Sequence, residues 1–370
     1  MMQFVFVLSM LLAGAATGCS EEGGSGADGG ADSGSDTDTD SDTDSDVHED
    51  WDWESVVIPG NFVGHGTSYQ LHATAADDAT VCVANWTNGT GGILSFDGAA
   101  LGTEETGFVC ELVFGLDADH LWALGYVDQT FEPLLYSRTG GAWSADTVAG
   151  ADDSCSFEAI YGDTPDGVTV VGRCGAERLS WVTDGAGAWI AGAAIVPTND
   201  ELDTIYGAFS MPDGDVFYGS GLFENAGGTD LGYGAARALW AEGASLGMLT
   251  VLEGDAVLTY DGAEWSELFG CPYDLSADEY AICWSSAAPG QAGDLYVGGG
   301  RGGAANENVD DWRLNRFADG TVYRILAPCG GDAPRCGVDD LSLSSDGVLF
   351  TVASGPQPRL MWHAVPDIGL

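Results

Sequence analysis

The chain of 370 residues carries 58 acidic against 10 basic side chains, a net charge of −48, and all of the basic residues are arginine. This balance excludes nucleic acid and anionic lipid headgroups as partners, since both require basic patches. Cationic partners, calcium and plain solubility remain compatible with it.

Residues 1–16 are apolar apart from Gln3 and Ser9, and Thr17-Gly18-Cys19 follows. The run is short for a membrane span, and a small-residue site behind it reads as a signal peptide over residues 1–18. Residues 19–50 form the next unit, containing GSGADGGADSGSDTDTDSDTDSD. Almost nothing in it can be buried and its alternating aspartates repel, so it stays solvated and extended. About thirty such residues span on the order of 30 Å as a coil, a length that suits a tether. Its Asp-x-Asp spacing lacks the glycine and distal glutamate of a calcium loop.

Ala16-Thr17-Gly18-Cys19 resembles a bacterial lipobox, with Ala16 where leucine is usual. The resemblance implies cleavage before Cys19, lipidation of Cys19 and a bacterial surface lipoprotein whose membrane contact is the lipid alone. Ser20 gives no aspartate retention signal, which by the same resemblance points to the outer membrane. The alternative is an ordinary secreted or periplasmic protein.

From Trp51 the composition changes to strand residues, turn pairs and regular spacing, with no amphipathic helix pattern of useful length. Two signatures alternate. One is a pair of strands joined by an acidic turn, as in LVFGLDADHLWALG (112–125), AIYGDTPDGVTVVG (159–172) and LSLSSDGVLFTVA (341–353). The other is a hairpin of the type AVLTYDGAEW (256–265), repeated at 93–101, 134–143, 179–189 and 314–323. Together they predict four strands per repeat. The last repeat reaches RLMWHAV (359–365) and lacks a fourth strand, which WDWESVVIP (51–59) is placed to supply.

A four-stranded repeat completed by the opposite terminus resembles the β-propellers of the kelch and WD40 type, in plan but without their signature residues. The expected fold is therefore all-β, a propeller over residues 51–370 closed by an N-terminal strand. Six blades are expected, with ALWAEGASLGMLTVLEG (238–254) read as a hairpin inserted in the fourth; seven is the alternative.

Besides Cys19 there are eight cysteines, an even number that implies disulfides in an exported chain. Antiparallel register about the turn at 163–166 sets Cys155 opposite Cys174. Cys271–Cys283 and Cys329–Cys336 are near enough in sequence to staple blade junctions, which leaves Cys82–Cys110. A zinc cluster would need Cys-x-x-Cys spacing, and there is none.

No catalytic constellation stands out. Gly243-Ala244-Ser245-Leu246-Gly247 matches a nucleophile elbow, but that elbow requires a strand-to-helix turn and this stretch reads as a hairpin. The five histidines are scattered without metal spacing, and Asn85 and Asn88 head formal glycosylation sequons in a polar loop. No cofactor is expected. The aspartates of the acidic turns (among them Asp77, Asp78, Asp97, Asp117, Asp163 and Asp346) read as turn formers, with a calcium ring as the competing reading.

The opposite face collects longer loops and most of the scarce arginines. Arg173, Arg178, Arg301, Arg313 and Arg359, with Trp312, are the candidate ligand-binding residues; Arg335 and the aromatic side chains Trp86, Phe131 and Phe223 lie on the same side. Guanidinium forks recognise carboxylates, and aromatic faces pack on sugars or partner side chains. The competing reading is that each arginine pairs with a neighbouring acid. The function expected is a monomeric binding module for a protein or a glycan. The alternatives are a propeller glycosidase or polysaccharide lyase, which would need a carboxylate pair in a central pocket, and a structural spacer.

Overall fold

A computed structural model describes residues 47–63, 66–127, 130–183 and 188–192, and from there to residue 365 the strands with short flanking segments. These residues are almost wholly β. Their only helical turns are Gly60–Phe62 and Pro165–Gly167.

The described strands form seven sheets. The first is Thr67–Ala75, Asp78–Asn85, Thr90–Phe96 and Leu101–Thr106, paired antiparallel in chain order. Val109–Asp117, His120–Tyr126, Pro133–Thr139 and Ala142–Ala145 repeat this plan. So do Cys155–Tyr161, Thr169–Cys174, Glu177–Thr183 and Ala188–Ala191. The fourth sheet shows three described strands, Gly207–Ser210, Val216–Gly219 and Phe223–Asn225. The sixth comprises Ser286–Pro289, Leu295–Gly299, Arg313–Ala318 and Thr321–Ile325. In the seventh, Val338–Leu343, Val348–Ala353 and Arg359–Ala364 are joined by Glu54–Val57, which sets Glu54 opposite Trp362 and Val57 opposite Arg359.

The fifth sheet departs from the hairpin insertion expected at 238–254. Ala236–Glu242 and Ser245–Thr250 are not an insertion; they pair onward with Val257–Tyr260 and Trp265–Phe269 as one four-stranded sheet. The sequence signal was hidden because Gly243-Ala244 stands where other repeats carry aspartates, yet a glycine suits a tight connection equally well. Ser245 opens a strand opposite Glu242, so the Gly-x-Ser-x-Gly match is not at a strand-to-helix elbow.

The first strands stand beside one another in sequence order, and Val338–Leu343 lies beside Thr67–Ala75. Second strands such as Asp78–Asn85 and Val348–Ala353 are almost continuously buried, because both faces of each sheet meet a neighbouring sheet. Apolar layers fill the gaps: Leu71, Val81 and Phe96 pack with Phe350 and Leu360, and Trp122 and Leu135 with Phe157 and Trp181. Each such side chain contributes about 1.5–3 kcal/mol by burial.

Two sheets gain a parallel edge strand: Thr147–Val148 beside Ala188–Ala191, and Val47–Glu49 beside Thr321–Ile325. The second of these lies in sequence at the end of the acidic low-complexity stretch. Arg316 explains why it is ordered. Its Nη2 lies 2.6 Å from Glu49 Oε1 and its Nη1 3.1 Å from Asp294 Oδ2, with the guanidinium carbon 4.5 Å from the Tyr323 ring centroid. Trp51 then donates from Nε1 to Glu49 Oε2 and stacks on His363 at 4.4 Å.

The disulfides Cys82–Cys110 and Cys155–Cys174 are present. The first joins two neighbouring sheets; the second links cross-strand partners in the register the sequence predicted. Cys19, Cys271, Cys283, Cys329 and Cys336 lie outside the described residues.

Candidate binding face

The loops that join second to third strands carry the exposed aromatic side chains. In the first sheet, Asn85 builds the loop: its Oδ1 accepts the N–H groups of Thr87 (3.1 Å) and Asn88 (3.3 Å), and its Nδ2 donates to Thr67 Oγ1 (2.9 Å). Asn88 Oδ1 in turn accepts from the Thr90 hydroxyl and N–H. This is Asx-turn chemistry, in which a short side chain replaces a backbone partner. It holds Trp86 outward, 52% exposed, with its Nε1 donating to Ser68 Oγ at 3.1 Å.

In the second sheet, Phe131 N–H donates to the Val127 carbonyl and Val127 N–H to the Glu132 carbonyl. Phe131 lies at φ 56° and is 62% exposed. Tyr126 lies between the two loops, its ring centroid 6.2 Å from Trp86 and 5.4 Å from Phe131. Three aromatic rings thus meet across two sheets. Trp86 and Phe131 were singled out from sequence; Tyr126 opens the loop segment 126–133 on the same side but was not singled out.

The candidate arginines are not gathered into one site among the described residues. Arg173 and Arg178 are cross-strand partners that share Glu158, at 3.7 and 3.2 Å. Arg178 is 5% and Glu158 7% exposed at the side chain, so this guanidinium is held within the sheet packing. Arg359 is exposed and donates from Nη1 to Ser55 Oγ at 3.1 Å. Arg313 is described through its main chain alone, while Arg301, Trp312 and Arg335 lie outside the described residues.

The acidic turns act on their own backbone. Asp97 Oδ1 accepts from the N–H groups of Ala100 and Ala99, which lowers its pKa. Asp117 is lowered by its contact with His120, 2.8 Å away. Asp346 is lowered by the Ser344 hydroxyl and also accepts from Ala76 N–H. Among the described residues no three His, Cys, Asp or Glu side chains are grouped to hold a metal ion. Asp77, Asp78, Asp97 and Glu104 line a cavity of about 370 Å³ with Arg138, whose Nη1 lies 3.0 Å from Asp78 Oδ1.

Three titratable groups in sheet contacts were given no role from sequence: Asp340 is buried, and Glu111 and His72 are half-buried. Asp340 lies in a sheet contact and burial raises its pKa to about 6, against the Ser286, Leu71 and Leu341 hydrogen bonds. Glu111 is the extra residue of a bulge between Cys110 and Leu112, and burial raises it to about 7. His72 is lowered to about 4 by burial, Asp78 opposing, and so is neutral at physiological pH. No sequence signal separates these from exposed neighbours of the same type, since bulges and sheet contacts are not local properties.

No protein-family model matches the chain, and no curated protein matches its sequence. Solved structures do resemble it. The β-propeller domain of Myceliophteria thermophila Cps50 (Swd1) superposes with a TM-score of 0.51 at 10% identity, over 85% of this chain and all of that one. YCF48 from Cyanidioschyzon merolae superposes with a TM-score of 0.50 at 13% identity, over 84% of this chain and 98% of that one. Likeness at such identities concerns the fold. The class of protein defined here is the β-propeller.

Proposed function

We propose that the chain is an exported lipoprotein whose β-propeller is a binding module for a protein or a glycan. In this reading residues 1–18 are the signal peptide, Cys19 carries the lipid and the acidic tether leads to the propeller. The seven sheets are its blades, and Glu54–Val57 closes the ring. Two disulfides suit an oxidising compartment outside the cytoplasm. Among the described residues no helix is long and apolar enough to cross a membrane.

The observation that carries the binding role is the pair of exposed rings Trp86 and Phe131 on neighbouring loops, both in contact with the half-buried Tyr126. Large exposed aromatic side chains standing together are rare on a surface with no partner, and aromatic anchors dominate interface energetics. The test is a pull-down and a glycan array with the full mature chain, repeated with Trp86→Ala, Arg301→Ala and Arg313→Ala. A ligand retained by the parent and lost by Trp86→Ala is expected; equal retention by all variants removes the loop face from the proposal. Metabolic labelling with a fatty acid, abolished by Cys19→Ser, tests the anchor.

A further inference from the structure

We infer that the Trp86–Tyr126–Phe131 surface receives an arginine- or lysine-bearing segment of a partner protein, an inference that rests on the reading of this loop face as a binding surface. The backbone of Phe131 is the first argument. Only Phe131 and Asp319 among the described non-glycine residues have positive φ, at 56° and 52°. Asp319 precedes Gly320 in a hairpin turn, where aspartate tolerates that conformation. A phenylalanine does not, and glycine would remove the strain. The ring also does not fill the core, since it is 62% exposed and packs on Tyr126 at 5.4 Å. A conformational cost is therefore borne in order to present a ring to solvent, the pattern expected of a contact residue.

The chemistry around the rings selects the occupant. A glycan needs free donors and acceptors to fix its hydroxyl groups. Here Trp86 Nε1 is engaged by Ser68, both polar atoms of the Asn85 side chain by the loop and Thr67, and Asn88 Oδ1 by Thr90. Beside the exposed polar side chains Thr87, Asn88, Thr90 and Thr130, the outward surface is aromatic and ends in the exposed Glu132 that follows Phe131. Aromatic faces attract guanidinium and ammonium groups, most strongly where water is partly excluded. The long-range field acts in the same sense: residues 51–370 hold 46 acids against 10 arginines, which concentrates cations and repels acidic ligands. A cationic protein segment satisfies both the local surface and the field.

The experiment uses the full mature chain at roughly physiological salt and three fluorescent probes. These are a twelve-residue peptide alternating arginine and leucine, its glutamate–leucine counterpart, and cellohexaose. Binding of the arginine peptide is expected, weakened about tenfold or more by Trp86→Ala and by Phe131→Gly, with thermal stability of Phe131→Gly unchanged or raised. Ile190→Ala, which trims another exposed apolar side chain (58%), leaves binding unchanged. Neither ring substitution alters net charge, so arginine-peptide binding that survives both is nonspecific attraction and overturns the inference. If the glutamate peptide or cellohexaose binds in a Trp86- and Phe131-dependent manner, the face is a binding surface and the cationic occupant is wrong. If no probe binds, the inference falls, while the pull-down above decides the loop-face reading separately.

Discussion

Asp340 Oδ2 accepts the backbone N–H of Leu71 at 2.7 Å across 269 positions of sequence. The same carboxylate accepts the Leu341 N–H at 2.9 Å and the Ser286 hydroxyl. One side chain in the first strand of the seventh sheet thus binds the first strands of the sixth and the first. Ser342 Oγ accepts from Ala73 N–H, and Asp346 from Ala76 N–H, continuing the same seam. First strands of adjacent sheets have no ladder between them, so side chains satisfy N–H groups that would otherwise be orphaned.

Asp340→Ala removes the acceptor for two backbone N–H groups and a hydroxyl in a buried seam. A loss of about 3 kcal/mol is expected in denaturant unfolding. Asp340→Asn, which keeps one carbonyl acceptor, falls between the parent and Asp340→Ala.

Glu111 and Asp340 give stability a defined pH dependence. Both carboxyl groups bind protons more tightly when folded, with values near 7 and 6 against ordinary values of 4.5 and 3.8. Their contribution is fully present below the ordinary values and is lost as pH rises through the folded ones. Glu111→Gln should therefore unfold later than the parent at pH about 8, by roughly 2–3 kcal/mol, and show little difference below pH about 4.5. An equal gain at both pH values contradicts a buried carboxyl at this bulge.

Arg316→Ala leaves Glu49 and Asp294 without their partner. About 3 kcal/mol of destabilisation is expected from leaving partly buried acids unpaired. Hydrogen exchange is the sharper measurement: protection should fall at Val47–Glu49 first, because that parallel edge strand is three residues long and relies on this contact.

Reduction should lower stability in two increments. In the chain-entropy account a loop closed over 19 positions by Cys155–Cys174 is worth about 3 kcal/mol, and the Cys82–Cys110 loop of 28 positions slightly more. Peptide mapping under non-reducing conditions should recover both pairs, and Cys155→Ser should shift the thermal midpoint down without altering the Cys82–Cys110 link.

The repeat plan was readable in the sequence because a strand pair and its turn are local. Asp-Gly pairs, alternating apolar residues and the spacing of LVFGLDADHLWALG are set by dihedral preference and by the period of a pleated strand. Register was readable for the same reason, and it placed Cys155 opposite Cys174. One hairpin that lacked aspartate was read as an insertion, although it pairs onward into a four-stranded sheet. Trp86 and Phe131 could be marked as loop residues, but their convergence with Tyr126 depends on how two sheets pack.

Composition and short-range order by themselves determined an all-β chain of four-stranded repeats, its acidity and its cross-strand disulfide. Only the tertiary structure decided that Arg178 is engaged with Glu158, that Arg316 secures Val47–Glu49, and that Asp340 reaches Leu71. Those outcomes depend on which residues face one another across the gap between sheets. Side-chain period fixes the face of a strand but carries no information about what the opposing face presents.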